Sequence, residues 1–277
     1  MKDERISNLE RIEIRLLLEG IYQQYGYDFR DYALSTIRHQ LWKRAREEQV
    51  TTVSALQDRI LHDPDSFAQL LTELSISTTS MFRDPEFYLM LRKKVIPILR
   101  TYPFVRIWHA GCSTGEEVFS MSILLKEEGL YARSRIYATD LDHKALQTAR
   151  AGTLSGDNLR EYSRNYELAG GKSSLSDYLI RQHSSAILDP ALNANVCFLE
   201  HNLVTDESFM EFNLILCRNV LIYFNKGLKN RVHELLYQSL CRFGVLGLGL
   251  RESLDFTCRE DSYKPLADSL KVYRKVS

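Results

Sequence analysis

The stretch from Ile107 to Leu124, IWHAGCSTGEEVFSMSIL, constrains this chain more than any other. Val105 to Ala110 is rich in β-branched and aromatic side chains and suits a buried strand. Gly111 and Gly115 bracket Cys112, Ser113 and Thr114, where the chain has to reverse within a few residues. Glu116 and Glu117 then open a helix, in the first turn where the helix dipole favours carboxylates. Val118, Met121, Ile123, Leu124 and Leu125 give that helix an apolar side to pack back on the sheet. Open α/β sheets use such a unit to take nucleotide-like ligands beyond the carboxyl ends of their strands. An ordinary βα turn with no ligand shares the pattern.

A dinucleotide site calls for G-x-G-x-x-G, so that backbone and helix N-terminus can approach a pyrophosphate. Here there are two glycines, and two carboxylates stand where phosphate would come. That chemistry disfavours a phosphate anion and suits a cationic or neutral nucleoside. S-adenosyl-L-methionine, with its sulfonium, amino group and ribose, is such a molecule. Asp140 lies 29 residues after Gly111, at the end of a second strand from Ser134 to Thr139, a spacing that suits a ribose-binding acid. The competing role, capping the next helix, can fall to Asp142.

Before this unit the chain reads as helical. Ile12, Leu16 and Leu17 begin one amphipathic pattern, ended near Gly20 or Gly26. Tyr32 to Val50 makes a second helix, with Leu34, Ile37, Leu41 and Ala45 along one side. Arg38, His39, Trp42, Lys43 and Arg46 project from the other, either as a solvated face or as a docking face for an acidic helix. Ser54 to Leu61 and Asp65 to Leu74 are two shorter helices. Ser75 to Ser80 then holds five hydroxyl residues in six positions, ahead of Phe82 and Arg83. Asp84 as N-cap and Pro85 at the first position start a helix reaching about Leu99.

After Asp142 a helix runs from Lys144 to Ala151. Gly152 to Ala194 departs from the strand–helix alternation. Tyr166-Glu167-Leu168 and Tyr178 to Arg181 flank a Gly/Ser turn at 170–174, which predicts two short antiparallel strands. Val196 to Glu200, Leu214 to Cys217, Val245 to Leu250 and Leu270 to Val276 resume the main sheet, with a helix from Leu228 to Phe243. The expected fold is α/β: an N-terminal all-helical domain, then a Rossmann-like, mostly parallel doubly wound sheet with a small antiparallel β insertion.

Composition narrows the function classes. Lysine plus arginine equals aspartate plus glutamate at 36 each, so no overall charge draws the chain to nucleic acid or to an anionic membrane. The five cysteines are scattered without a CxxC pair, which predicts neither zinc site nor disulfide framework. MKDERISNLE lacks the apolar core of a signal peptide, and no apolar run approaches the ~18 residues of a membrane span, so a cytoplasmic protein without membrane insertion is expected.

Three stretches, STTSMFRDPEFY (77–88), AGCSTGEEVFS (110–120) and FNLILCRNVLIYF (212–224), resemble the chemoreceptor glutamate methyltransferases, the CheR family. ATDLD (138–142), HNL (201–203) and VLGLGLRESL (245–254) add to the likeness, which spreads over nearly the whole chain. The resemblance implies a helical receptor-docking domain (1–76), a linker segment and helix (77–100), and an S-adenosyl-L-methionine-binding methyltransferase domain (101–277) with a β-subdomain at about 160–195. Carried over by motif, Ser77, Thr79 and Arg83 look like the segment that closes on the cofactor, Glu117 like the second acid of the STGEE turn, and Asp140 like the ribose aspartate. Asn202 and Leu203 match the pair beside the adenine, and Cys217 and Arg218 the start of the CRN motif beside the methionine part. Tyr223 matches the tyrosine near the methyl group, and Arg83 with Tyr223 would be the catalytic pair. Without the likeness, Arg83 reads as a surface partner of Asp84 or Glu86, and Tyr223 as a core aromatic.

The activity so implied is methyl transfer to glutamates of methyl-accepting chemotaxis receptors, with S-adenosyl-L-homocysteine as product and a monomeric enzyme. Arg38, Lys43 and Arg46 would meet the receptor's cytoplasmic helices, and the β-subdomain a receptor-tail peptide. A cofactor-binding sensor or scaffold without transfer, or a methyltransferase with another acceptor, are the alternatives. Ser77 in place of a common asparagine, Asn213 in place of an aspartate, and Leu250-Arg251 in place of Gly-His depart from the family pattern.

Overall fold

The computed structural model describes residues 7–74, 79–255 and 257–276. The chain forms two compact units, Met1–Ile76 with Tyr223–Lys229, and Ser77–Ile222 with Asn230–Ser277. The first unit carries helices α1 (Asn8–Tyr25), α2 (Leu34–Glu47), α3 (Val53–His62) and α4 (Pro64–Leu74). The Ser7 side chain accepts from the Glu10 N–H to start α1, and Gly26, at φ 79°, ends it by donating to the Tyr22 carbonyl. Ile14, Leu17, Ile21, Ile37, Leu41 and Ile60 are buried and form the inner faces. The segment from Tyr223 is held in this unit by three backbone bonds or bridges. Ala33 N–H donates to the Tyr223 carbonyl (2.8 Å), Asn225 N–H to the Asp31 carbonyl (2.9 Å), and Tyr32 pairs with Phe224.

The second unit begins with α5 (Pro85–Met90), a π turn at Leu91–Val95 and α6 (Ile96–Leu99). The expected continuous helix is thus widened one turn ahead of Pro97, whose ring and missing N–H disturb the turn before it. There follow β1 (Val105–Ala110), α7 (Glu116–Glu127), β2 (Ser134–Asp140), α8 (His143–Ala151), β3 (Thr153–Ser155) and α9 (Leu159–Leu168). Next come β4 (Leu179–Arg181), β5 (Ser185–Leu188), β6 (Val196–Glu200) and β7 (Phe212–Cys217). Helix α10 (Lys226–Ser239) starts in the segment that belongs to the first unit, and β8 (Leu240–Leu248), β9 (Tyr263–Ala267) and β10 (Val272–Lys275) close the chain.

The main sheet has the order β6-β2-β1-β7-β8-β10-β9, parallel except for β10, which runs antiparallel to both neighbours. Strand order reverses at β1, which pairs with β2 on one side and β7 on the other. Ligands of open α/β sheets lie at this switch point, outside the carboxyl ends of the strands. The apolar runs of β1 and β7 are buried on both faces, as central parallel strands require. No helix among the described residues is long and apolar enough to cross a membrane.

The antiparallel insertion exists, but its first strand is not where the sequence pattern placed it. The small sheet is β3-β5-β4, and Tyr166-Glu167-Leu168 is the last turn of α9. The glycines at 170–171 close that helix, Gly170 donating to the Glu167 carbonyl and Gly171 to the Tyr166 carbonyl. Tertiary bonds fix the helix there: the Tyr166 and Tyr178 hydroxyls and the Lys172 N–H all donate to one oxygen of Glu127, and Arg92 holds the other.

Candidate functional site

The turn after β1 is built on Asp140. Gly111 and Cys112 N–H groups donate to the Thr139 carbonyl at the end of β2 (2.8 and 2.9 Å). The Ser113 N–H reaches the Asp140 carboxylate (2.7 Å), whose other oxygen takes the Asp142 N–H (3.0 Å). Ser113 adopts φ 51° and Gly115 φ 98°, so the reversal runs through left-handed backbone. Asp142 caps α8, accepting from Lys144 and Ala145 N–H, which leaves Asp140 to the turn. Burial pushes the Asp140 carboxyl up, against the N–H bonds that favour its charge.

Beside this turn lies a chain of charges. His109 Nδ1 is 3.0 Å from one oxygen of Glu117, and Arg218 Nη1 donates to the other at 2.8 Å. Arg218 Nη2 donates to Asp84 (2.7 Å) and to the Arg83 carbonyl (3.3 Å), with its guanidinium 4.0 Å over the Phe87 ring. Burial presses the Glu117 carboxyl upward, but Arg218 and His109 together hold it below the usual carboxylate range. Register puts these groups together: His109 of β1 pairs with Leu216 of β7, two residues before Arg218.

Asp84 differs from expectation. It precedes α5 at φ 58°, outside the extended backbone usual for a capping residue, and makes no side-chain cap; its carboxylate pairs with Arg218 instead. Phe82, at φ 50°, is likewise left-handed, so two strained residues flank Arg83. The segment is held in that shape from several sides. Phe82 N–H donates to Ser120 Oγ (2.8 Å), Asn165 donates to the Met81 carbonyl (3.2 Å), and Ser80 donates to Glu161 (2.8 Å). Thr79, Ser80, Arg83, Asp84, Glu161 and Asn165 line a cavity of about 340 Å³.

Of the residues singled out from sequence, Thr79 and Arg83 meet at this cavity, and Glu117 and Arg218 form an ion pair. Cys217 is fully buried at the end of β7, and burial pushes its thiol well up. Asn202 accepts the Val204 N–H in a turn after β6, and Leu203 is buried behind it. Ser77 lies outside the described residues. Tyr223 belongs to the helical unit and Arg83 to the sheet unit. The docking face is more compensated than the helical pattern implied. Arg38 Nε and Trp42 Nε1 both donate to Glu10, Lys43 pairs with Glu73, and Arg46 is exposed.

Two residues that the pattern did not single out have structural weight here. His109 is a polar residue in a strand whose other buried residues are apolar, which was the available signal. Glu252, in the loop after β8, accepts from the Gly249, Asn219 and Leu221 N–H groups at 2.6, 2.9 and 2.7 Å. It thereby fixes the turn after Arg218, where Asn219 has φ 62°. Burial pushes the Glu252 carboxyl up against those bonds. Its long-range partners are silent in sequence.

The donor set fits a nucleoside with cationic groups. Glu117 and Asp140 offer carboxylates, and the turn has no glycine cradle for a phosphate. Ser113 Oγ, His109 Nε2 and Arg218 Nε are buried without a protein partner. A mostly parallel sheet, a switch-point turn, one carboxylate in the first turn of α7 and another at the end of β2 fit the class of S-adenosyl-L-methionine-dependent methyltransferases.

The description "CheR methyltransferase, SAM binding domain" matches residues 77–267, and "CheR methyltransferase, all-alpha domain" matches residues 12–75. The chain belongs to the CheR methyltransferase family and binds S-adenosyl-L-methionine. It is 49% identical, over 95% of its length and 97% of the relative's, to a Pseudomonas putida protein provisionally named methyltransferase Cher3. It is 34% identical to the "Chemotaxis protein methyltransferase" of Listeria innocua, over 69% of each chain. It is 28% identical to the "Chemotaxis protein methyltransferase 1" of Pseudomonas aeruginosa, over 79% of this chain and 82% of that one.

Proposed function

We propose that this methyltransferase transfers the methyl group to glutamate side chains on the cytoplasmic helices of methyl-accepting chemotaxis receptors, acting as a cytoplasmic monomer. The observation that carries the reading is the Thr79–Asp84 segment, in which two left-handed residues and Arg218 set Arg83 at a polar cavity shared with Thr79, Ser80, Asp84, Glu161 and Asn165. The chemotaxis names of the relatives supply the acceptor. In this reading residues 1–76 dock the receptor, 77–100 link, and 101–277 hold the cofactor, with the small antiparallel sheet available to a receptor-tail peptide.

A glutamate with a pKa near ~4.3 is ionised at neutral pH, so its attack on carbon needs no general base. The bound cofactor supplies an activated methyl on a sulfonium leaving group. The chain's share is to strip water from the acceptor carboxylate and hold it in line. Arg83 orients that carboxylate through its guanidinium, and Tyr223 fixes it through its hydroxyl. Thr79, Glu117, Asp140, Asn202, Leu203, Cys217 and Arg218 line the cofactor side of the reaction.

Tritiated methyl transfer to receptor cytoplasmic fragments tests the reading. The expected product is a base-labile label that disappears when the receptor's glutamates become alanine. Cofactor binding without label in any receptor fragment would overturn the acceptor assignment.

A further inference from the structure

We propose that His109 is a positioning residue for Glu117, holding that carboxylate in place for the cofactor. The inference rests on Glu117 being a cofactor-binding carboxylate. His109 is 1% exposed, its Nδ1 is 3.0 Å from Glu117, and its Nε2 is buried without a partner. As the Nδ1–H tautomer it donates to the carboxylate and keeps an acceptor lone pair at Nε2. Glu117 is thus gripped from both ends, by an imidazole on β1 and by Arg218 after β7.

Two carboxylates, Glu117 and Asp84, share one guanidinium, Arg218, and the carboxylate in excess suits a ligand that bears sulfonium and ammonium groups.

The test is calorimetry of S-adenosyl-L-methionine binding to the full chain, with initial rates measured alongside. His109→Leu should raise Kd about tenfold at about pH 8, as expected for losing a hydrogen bond to a charged group. The same variant should raise the cofactor KM and leave kcat at saturation within about twofold. His109→Asn retains an N–H for Glu117 and should lose no more than about threefold at that pH. Unchanged affinity in a folded His109→Leu overturns the inference, and so does a loss in His109→Asn as large as the loss in His109→Leu. Should His109→Leu fail to fold, His109→Ala takes its place. Glu117→Gln is the control for the underlying reading: unchanged affinity there overturns the role of Glu117 itself, whatever His109 does.

Discussion

Glu117 sits between His109 and Arg218, and its charge is worth more to the folded state than to the unfolded chain. Because its folded pKa is depressed, its contribution is complete above the unfolded value of about 4.3 and is lost as pH falls through the folded pKa. Thermal midpoints measured from neutral pH into acid should therefore fall less steeply for Glu117→Gln than for the unsubstituted protein. Arg83 makes the second case at this scale. If its contact with the acceptor strengthens in the transition state, Arg83→Ala lowers kcat by about a hundredfold or more while cofactor affinity changes by less than about threefold. Steady-state kinetics beside calorimetry checks this, and equal losses in both would make Arg83 a cofactor clamp. The residue type and position of both were legible in sequence. Their partners were not, because Arg218 lies 101 residues from Glu117 and 134 from Asp84.

At the scale of the element, the turn between β1 and α7 is the least tolerant piece. A Cβ at Gly115 would stand 2.7 Å from the Phe119 ring and 3.0 Å from the Ala149 Cβ, in addition to its left-handed backbone. Gly115→Ala should cost about 2–4 kcal/mol from both causes and weaken cofactor binding. Gly26, with a similar φ of 79° but nothing within 4 Å, should cost only about 1 kcal/mol on the same change. Denaturant unfolding of the two variants separates the backbone part from the packing part. The β1–α7 unit was legible because its signal is local: apolar strand, small-residue turn, acidic helix start. The strand assigned to Tyr166–Leu168 failed for the opposite reason. A short aromatic and apolar run before Gly-Gly has no period of its own, and Glu127 and Arg92, far off in sequence, decide that it is helix.

At the scale of the whole molecule, the segment Tyr223–Lys229 is separated in sequence from the helical unit to which it belongs. Tyr32, Ala33 and Asp31 hold it, through the Phe224 ring at 5.0 Å and the bonds to Tyr223 and Asn225. Removing residues 1–76 takes away these partners. If Tyr223 fixes the acceptor as proposed, the shortened chain should bind the cofactor within about fivefold of the full chain and transfer methyl groups at least about a hundredfold more slowly, because Tyr223 loses its mooring. Calorimetry and the tritium assay on the two chains check the split.

The sequence by itself determined that a helical stretch precedes a mostly parallel sheet, where the turn between β1 and α7 falls, and that Glu117 and Asp140 stand beside it. Those follow from hydrophobic period, glycine placement and motif spacing, all carried by neighbouring residues. Only the tertiary structure decided that Asp84 pairs with Arg218 rather than capping a helix, that Glu10 takes up Arg38 and Trp42, and that His109 grips Glu117. A side-chain charge has no preferred partner until strand register and backbone handedness bring one within hydrogen-bonding distance, and here parallel pairing of β1 with β7 supplies it.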